Sequence, residues 1–544
     1  MKRRKKKKSL AFRIWAILLS ILLLIGFGLL IYQVVKMNFV PSRLMIPVSM
    51  ALALVALIFV FLINFFTNHI PSKIFLSLLV ICLVFVSGMG NYYVYKTSHM
   101  IEKVTTNEGK VKNIVSVIAL TNSNIQDITD LSTSNKVAVL KSIDTYGTKK
   151  SIKDVCKQFD VEKKSELPFT IDSANSVQEA VNSLYNEDVD AIIINETYRT
   201  NIKEIESFSD FDENTKVIYQ TVYYTEAKND ALAVSDITNE PFSILISGND
   251  TYGDVGELSR SDVNMVVTIN PLTSTVLLTS IPRDTYMPTY CDATETCVIG
   301  AMDKITHTGI YGINTTQRTV ENFLDMEINY TFRANFSSVI DIVDALGGVD
   351  IYVEEGMAVS TFYADHTLEG VTEGWNHLDG KRALAYARER HAYLDGDNQR
   401  VRNQQQVLMA IFEKATSTDI ITKYASLLDA LSKAFETNLT TNEITDLIKF
   451  QIQAMPEWKF ESYQITGYGD MLNCAALGSE ASVTVPYDES IRIAQEKIRA
   501  VLDGKSSDTV EDTLDATISE GALSSEEIDA QVQADLYAYG YGYY

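Results

Sequence analysis

The chain has 544 residues, a formal net charge of -23 and five cysteines. That length leaves room for about three or four domains, and five cysteines are too few for a disulfide scaffold. No C-x-x-C, no H-E-x-x-H and no His/Cys cluster with zinc spacing occurs, so no transition-metal site is expected.

The chain begins MKRRKKKK, with seven basic residues at positions 2–8. A basic arm can bind nucleic acid. This one runs directly into LAFRIWAILLSILLLIGFGLLIYQVV, an apolar run long enough to cross a bilayer. Two more follow, LMIPVSMALALVALIFVFLINFF and IFLSLLVICLVFVSGMGNYYVY. The first run is too long for a signal peptide and lacks a small-residue cleavage site. Tyr32, Tyr92, Tyr93 and Tyr95 fall near the ends of these runs, where interfacial aromatics sit. Basic residues before a first span hold that end in the cytoplasm, and an anchor against anionic lipid explains the arm better than nucleic acid does. Residues 1–96 therefore read as a basic arm and three transmembrane helices. Three crossings would place everything after about residue 97 outside the cell, in a multi-pass membrane protein.

Residues 97–236 read as a small accessory α/β domain. VKNIVSVIAL, KVAVLK and VDAIIIN are short strand-like runs, and GTKKSIKDVCKQF and SVQEAVNSLYNE are amphipathic helices between them. Nothing there has catalytic spacing.

Residues 237–503 read as a second α/β domain, with a mixed sheet covered by helices. PFSILISG is a buried-type strand, NMVVTI and STVLLTSI flank NPLT as a hairpin, and IDIVDALGGVDIYV is a helix, a Gly-Gly stop and a strand. RNQQQVLMAIFEKA is an amphipathic helix with Val407, Ile411 and Ala415 on one face, and DIITKYASLLDALSKAF and TNEITDLIKFQIQ are further helices. Cys291 and Cys297 flank YCDATETC; the spacing allows either a bridge or two free thiols. Residues 504–544 form an acidic tail without Lys or Arg after residue 505, expected to be mostly disordered, with a tyrosine-rich end.

Within the second domain, charged residues fall at the ends of elements. Asp250 follows a strand, and Asp262 precedes the next one, with Arg260 two residues before it. Two carboxylates at strand ends can converge on one divalent cation. A single strand-end aspartate is usually a turn former. Arg283 and Asp284 close the following strand between prolines. The window RALAYARERHAYLDGDNQRVR then carries Arg382, Arg388, Arg390, Arg400 and Arg402. Arginine is the side chain best shaped for a bidentate grip on phosphate. The plainer account is a solvated helix face paired with Glu389, Asp395 and Asp397.

The stretches SGNDTYG, SRSDVNMVV, SIPRDTY, MDKITHTGIYG, NYTFRANF, DALGGVDIYV, LDGKRALAYARER and GDNQRVRNQQ, covering about residues 243–415, together resemble the LytR–CpsA–Psr family. The spans and the α/β insert look like the streptococcal-type capsule proteins of that family with an accessory domain. The resemblance implies a phosphotransferase. It would move a capsular polysaccharide or related glycopolymer from an undecaprenyl-pyrophosphate carrier to cell-wall peptidoglycan and release undecaprenyl phosphate. It also implies an apolar tunnel for the prenyl tail and Mg2+ (or Mn2+) at the site. Carried over residue by residue, Asp250 and Asp262 match the acids near the metal, one of them a candidate base. Arg260, Arg283, Arg388, Arg390 and Arg400 match the pyrophosphate-binding arginines, Arg283 also counted as catalytic. Gln404 matches the glutamine that follows them, and Asp397 the acid between the arginine pairs. Lys304 and Arg333 are second-rank candidates. Where the family often reads Arg-Gln-Gln, this chain has Asn403-Gln404-Gln405, and Arg402 either replaces the missing arginine or does not. Arg382 has no counterpart and is expected to tolerate lysine.

Two other readings use the same residues: a phosphatase that hydrolyses prenyl pyrophosphate, and a non-enzymatic membrane regulator of capsule assembly. Retention of the acids and arginines favours chemistry over sensing, and an outer location favours transfer over hydrolysis. Other capsule assembly proteins are candidate partners; nucleic acid is not.

Overall fold

The computed structural model describes residues 10–37, 42–67, 69–105, 110–141, 143–226, 231–249, 251, 258–291, 297–417, 435–514, 521–523 and 527. The chain divides into two compact units: Met1–Thr105 with Tyr424–Ser432 and Thr440–Glu457, and Thr106–Lys423 with Lys433–Leu439 and Trp458–Tyr544.

In the first unit, helices α1 (Leu10–Met37), α2 (Ser42–Phe65) and α3 (Ile70–Thr105) contain three stretches long and apolar enough to cross a membrane, Leu10–Lys36, Met45–Phe65 and Ile70–Lys96. Leu23, Ile63 and Val80 are fully buried where the three helices meet. Between them Asn91 Nδ2 donates to the Gly26 carbonyl at 2.8 Å. Leu18, Leu57, Phe75 and Phe85 point outward and stay exposed, as lipid-facing side chains do.

The second unit holds two sheets. The accessory sheet comprises β1 (Lys110–Leu120), β2 (Lys136–Leu140), β3 (Thr170–Ala174), β4 (Ala191–Asn195) and β5 (Thr215–Glu226), in the order β3-β2-β4-β1-β5. β2 runs parallel to β3 and β4, and β1 antiparallel to β4 and β5. Every residue of β4, AIIIN, is buried, because helices cover both faces of an interior strand. Helix α4 (Thr145–Gln158) starts from the cap Asp144, and α5 (Val177–Tyr185) from Ser176, whose hydroxyl accepts from Glu179 N at 3.1 Å. Two short helices, α6 (Arg199–Glu204) and α7 (Phe211–Asn214), lead into β5.

The second sheet is mixed and six-stranded, in the order β16-β11-β6-β7-β8-β17. Its strands are β6 (Phe242–Asn249), β7 (Ser261–Asn270), β8 (Thr275–Ile281), β11 (Tyr330–Asn335), β16 (Phe435–Thr437) and β17 (Lys459–Gln464). β6–β7–β8 is an antiparallel meander turning at NPLT, and β11 and β17 add parallel at its two sides. Register places Asn249 beside Ser261 and Asn335, and Gln464 beside Ser280. One end of the sheet therefore gathers the end of β6, the start of β7, and the ends of β8, β11 and β17.

Shorter pairs surround this sheet: β9 (Tyr286–Pro288) with β10 (Met302–Lys304), β12 (Val349–Val353) with β15 (Gly374–Leu378), β13 (Val359–Phe362) with β14 (Asp365–Val371), and β18 (Gly467–Cys474) with β19 (Ser479–Pro486). Helices α8 (Ile313–Leu324) and α13 (Asp488–Leu502) cover one face through Val320, Leu324, Ile493 and Ile498. Helices α9 (Phe336–Leu346), α10 (Gly380–Arg388) and α11 (Asp397–Thr416) pack with the short pairs around Val343, Val349, Tyr386 and Val407. α9 stops at Gly347, whose φ of 75° suits a residue without a Cβ. TNEITDLIKFQIQ forms α12 (Thr441–Ala454), in the first unit. DIITKYASLLDALSKAF lies outside the described residues except for its last position, Phe435, which opens β16.

Two outcomes differ from expectation or were left open. The tail packs at its start: Val510 and Leu514 lie on the core, and Ser507 N donates to Glu461 at 2.6 Å. Further on, Ala522 N donates to Gly356 O at 2.9 Å and Leu523 N to Ala392 O at 2.8 Å. The tyrosine-rich end lies outside the described residues. Cys291 and Cys297 pair as a disulfide with their Cα atoms 6.3 Å apart.

Asp144 is the costly cap. Its side chain accepts from Gly147 N at 3.1 Å, yet it is only 4% exposed. Burial raises its carboxyl to about 6, against the lowering pull of Gly147 N and Asn195. A folded pKa above the unfolded value means that this group's stabilisation is complete below the unfolded pKa and lost as pH rises through the folded one. Asp144→Asn keeps an acceptor at the cap and the left-handed backbone, φ 45°. It is expected to gain up to about 3 kcal/mol relative to wild type between pH 4 and pH 7. Denaturant unfolding of the two proteins at both pH values checks this; parallel pH dependences would refute it.

Candidate functional site

Asp262 is the second residue of β7, at the gathered end of the sheet. Its Oδ2 accepts from Arg283 Nη1 at 3.0 Å and its Oδ1 from the Thr306 hydroxyl at 3.0 Å. Burial alone would raise this carboxyl, but Arg283, Arg260 and Arg400 outweigh it and hold it at about 2. Arg283 follows β8 through Pro282, and its Nε lies 3.4 Å from Asp284 Oδ2. Asp284 Oδ1 in turn meets Lys304 Nζ at 3.0 Å. Burial works against the Asp284 carboxylate, yet Arg283 and Lys304 keep it below the usual range. Arg260 is buried, and burial pulls its pKa down; Asp262 and Asp284 oppose this, while Arg283 and Arg400 add to it.

The arginine window supplies the other half. α10 is capped by Asp379 and ends at Arg388, which is exposed, with its guanidinium 4.3 Å above the Phe336 ring at the start of α9. The following loop is shaped by Glu389, fully buried, which accepts from the backbone N–H groups of Arg390, Ala392 and Ala364 at 3.0–3.1 Å. Arg390 Nε donates to His391 Nε2 at 2.8 Å. α11 then begins, with Arg400 in its first turn, 7% exposed, and its Nη2 2.6 Å from Asp397 Oδ1. Burial lowers the Arg400 pKa, as do Arg283 and Arg390, against Asp397 and Asp262. The Nε of Arg400 is buried without a hydrogen-bond partner, while its Nη2 and the Nε of Arg283, also buried, meet only the carboxylates of Asp397 and Asp284. Buried donors are normally satisfied. Here they belong to two cations beside the N-terminus of a 20-residue helix, an arrangement that favours an anion.

The structure thus brings Arg260, Asp262, Arg283, Arg400 and Asp397 together, with Arg390 beside Arg400 and Arg388 at the same end of the sheet on Phe336. Gln404 lies one turn beyond Arg400 on α11, half-buried. Asp250 lies outside the described residues. Lys304 joins the site through Asp284, whereas Arg333 stands opposite Glu436 across the β11–β16 ladder and pairs with it at 3.5 Å. Asn403 is buried, donating to Tyr386 O at 3.0 Å and accepting from Gln399. Arg402 pairs with Asp395 and bonds Gln399 at 2.8 Å, so it ties the loop rather than taking the place of the missing arginine.

Two contributors carried no sequence signal: the Thr306 hydroxyl on Asp262, and a buried trio that no spacing announced, Asp303, His307 and Cys474. Asp303 Oδ1 accepts from Lys304 N at 2.8 Å and meets His307 Nδ1 at 2.5 Å, and Oδ2 accepts from Ala476 N at 2.7 Å. The Cys474 thiol, raised to about 12 by burial and by Asp303, lies beside the same carboxylate and donates to the Leu472 carbonyl at 3.8 Å. Three partners, Lys304 N, His307 and Ala476 N, occupy most of that carboxylate's acceptor sites, so the trio is a hydrogen-bonded hub. A Mg2+-type ion takes hard oxygen ligands. Asp262, ionised at any ordinary pH and with lone pairs left on both oxygens, fits that chemistry.

The sequence model of the LytR_cpsA_psr family matches residues 199–484. The polyisoprenyl-teichoic acid–peptidoglycan teichoic acid transferase TagU of Bacillus licheniformis is 32% identical over 257 residues, 47% of this chain and 78% of that protein. TagU of Bacillus cereus is 38% identical over 214 residues, 39% of this chain and 65% of that protein. The crystal structure of TagV from B. subtilis is 29% identical and covers 49% of this chain and 98% of its own, with a TM-score of 0.39.

Arg382 corrects one expectation. Its guanidinium donates to the Glu369 and His377 carbonyls, each at 3.0 Å, and to the Gly370 carbonyl, tying α10 to β14 and β15. Lysine cannot reproduce that planar fork. Arg382→Lys is expected to destabilise the fold by about 1.5–3 kcal/mol, read as a lower denaturation midpoint; unchanged unfolding would sink this assignment.

Proposed function

The chain belongs to the LytR_cpsA_psr family, and from that premise we propose that it transfers an undecaprenyl-pyrophosphate-linked capsular polysaccharide, or a related glycopolymer, to cell-wall peptidoglycan. The observation that carries this reading is the convergence of Arg260, Arg283 and Arg400 on Asp262, with the Arg400 Nε buried and unpartnered. A pyrophosphate offers them acceptor oxygens and negative charge at once. The relatives' name, polyisoprenyl-teichoic acid–peptidoglycan teichoic acid transferase, supports a polyisoprenyl-linked polymer as donor and peptidoglycan as acceptor.

In the proposed reaction a peptidoglycan hydroxyl oxygen attacks the phosphorus nearest the polymer. The bond from that phosphorus to the bridging oxygen breaks, and undecaprenyl phosphate leaves with the bond's electron pair. The hydroxyl proton passes to a base or to solvent. Arg260, Arg283 and Arg400 would hold the diphosphate and stabilise charge as it moves to the bridging oxygen. Arg388 and Arg390 would hold its outer oxygens, and the half-buried Gln404 would orient the group one turn along α11. Asp262 orients Arg283. With a carboxyl near 2 it is a poor proton acceptor, which favours a ligand or orienting role over that of base. The base role then falls to Asp250 or to solvent. Asp262 with Asp250 would hold Mg2+ or Mn2+, which supplies neutralisation of phosphate charge. The prenyl tail would run into the apolar packing below α9 and α10. The basic arm before α1 supports an orientation with the second unit outside the cell.

Full-length protein in detergent, given lipid-linked polymer, Mg2+ and peptidoglycan, is expected to form a covalent conjugate. Arg388→Lys and Arg400→Lys are each expected to slow transfer roughly ten- to hundredfold, the loss of one charge-assisted bidentate contact. Wild-type rates in both folded variants would reject the phosphate clamp. Release of undecaprenyl phosphate and polymer phosphate without conjugate would favour the hydrolase.

Orientation is a separate expectation. A reporter active only outside the cytoplasm, fused after residue 240, is expected to be active. Activity of a cytoplasm-only reporter at the same point would overturn it.

A further inference from the structure

The segment Asp303–Tyr311 touches the strand-end half of the site at four points. Lys304 Nζ holds Asp284 at 3.0 Å, and Thr306 N donates to Arg283 O at 3.1 Å. The Thr306 hydroxyl holds Asp262 at 3.0 Å. Gly309 lies against the backbone that carries Arg260: a Cβ there would stand 2.5 Å from Ser259 O and 2.6 Å from Ser261 N.

The same segment ends inside the other domain. Ile310 is a buried member of the accessory core, with Ile118, Ile143, Val177 and Tyr198, and Tyr311 packs against it. The Tyr198 ring is part of the core on which Tyr311 packs, and its hydroxyl is buried without a hydrogen-bond partner. A second connection runs alongside. Ala476, at the turn between β18 and β19, sits in the accessory core, and its N–H donates to Asp303 at 2.7 Å. From the same hairpin Thr484 N donates to Asp284 O at 2.8 Å. Asp303 joins the two connections, holding the start of the segment to the hairpin turn.

We propose that the accessory domain positions the anion site: the Asp303–Tyr311 segment is a bracket anchored in the accessory core, and Tyr311 and Tyr198 are positioning residues for Arg260, Asp262, Arg283 and Asp284. This rests on the transferase reading for its consequence in rate, but not for its structural content. The domain has no catalytic spacing of its own and needs none, because its contribution is a fixed wall behind the bracket. Ile305–Tyr311 is a 3-10 helix, a form that holds its shape poorly without tertiary support, and small misplacements of charge-stabilising groups are costly in rate.

The test uses full-length protein and the variants Tyr198→Leu, Gly309→Ala and Thr306→Val, with Val155→Ala, in the core on the other face of the accessory sheet, as a stability control. Tyr198 lies far from the arginines in sequence and touches no proposed substrate group; its substitution removes the ring from the core that holds Ile310 and keeps an apolar side chain. Amide hydrogen exchange is followed over residues 303–311, alongside transfer rates and thermal unfolding. Tyr198→Leu is expected to speed exchange across 303–311 and to lower kcat about tenfold, whereas Val155→Ala is expected to lower the unfolding temperature and leave both near wild type. The effect of Tyr198→Leu should also be non-additive with Thr306→Val, since both act on one segment. Gly309→Ala, which pushes the bracket off the Arg260 backbone directly, should lower kcat at least as much.

Unchanged exchange over 303–311 in Tyr198→Leu overturns the proposal, as does a loss of transfer in Gly309→Ala with none in Tyr198→Leu. Absence of transfer by wild-type protein would instead count against the transferase reading. The exchange comparison would still decide whether the bracket is anchored as described.

Discussion

The arrangement depends on one electrostatic constraint: two buried guanidinium groups and a third, partly buried, share one partly buried carboxylate. Arg260, Arg283 and Arg400 all act on Asp262, and each arginine acts unfavourably on at least one other. Asp284 and Asp397 offset part of this, and Lys304 adds a further cation. Charges this close, taken out of water, interact strongly and are costly to leave uncompensated. The fold tolerates the excess because the groups hang on the ends of sheet strands and at a helix start, where the backbone is already fixed. An anionic ligand would complete the balance.

Two acids that do not face the arginine cluster make this possible. Glu389 gathers three backbone N–H groups and so shapes the loop between Arg388 and Arg400. Asp303 gathers Lys304 N, Ala476 N and His307 and so fixes the segment that carries Lys304 and Thr306. In both places a buried carboxylate is stabilised by local donors, and its product is geometry for its neighbours. The arginines are therefore held by backbone organised around acids, not by pairing with every nearby acid in turn.

What was legible in the sequence follows from range. The membrane helices, the hydrophobic strands β4, β6, β7 and β8 and the Gly347 helix stop depend on local pattern and turn chemistry, and they read directly. β3 and the long polar-alternating β5 did not, because TIDSA and TKVIYQTVYYTE carry weaker patterns whose partners are supplied by tertiary pairing. The arginines and Asp262 stood out through the family resemblance, and the structure gathers them. Thr306 and the Asp303–His307–Cys474 hub stayed hidden, since a threonine in a motif looks like any other and Cys474 is distant in sequence from its partners. Arg382 misled because it sits among the other arginines by sequence, while its donors point at carbonyls.

The depressed Asp262 carboxyl sharpens what the site can do. Its folded value, about 2, lies below that of an unpaired aspartate, so its stabilisation is present above the unfolded pKa and lost only as pH falls through the folded one. Across ordinary pH its charge therefore does not change, and neither does its grip on Arg283. A group so held is effective at orienting a cation and ineffective at taking a proton. Any pH dependence of the chemistry near neutrality must then arise in groups other than Asp262. The site reads as a preorganised charge template, in which position and electrostatics carry the catalysis and proton transfer is secondary, as phosphoryl transfer requires.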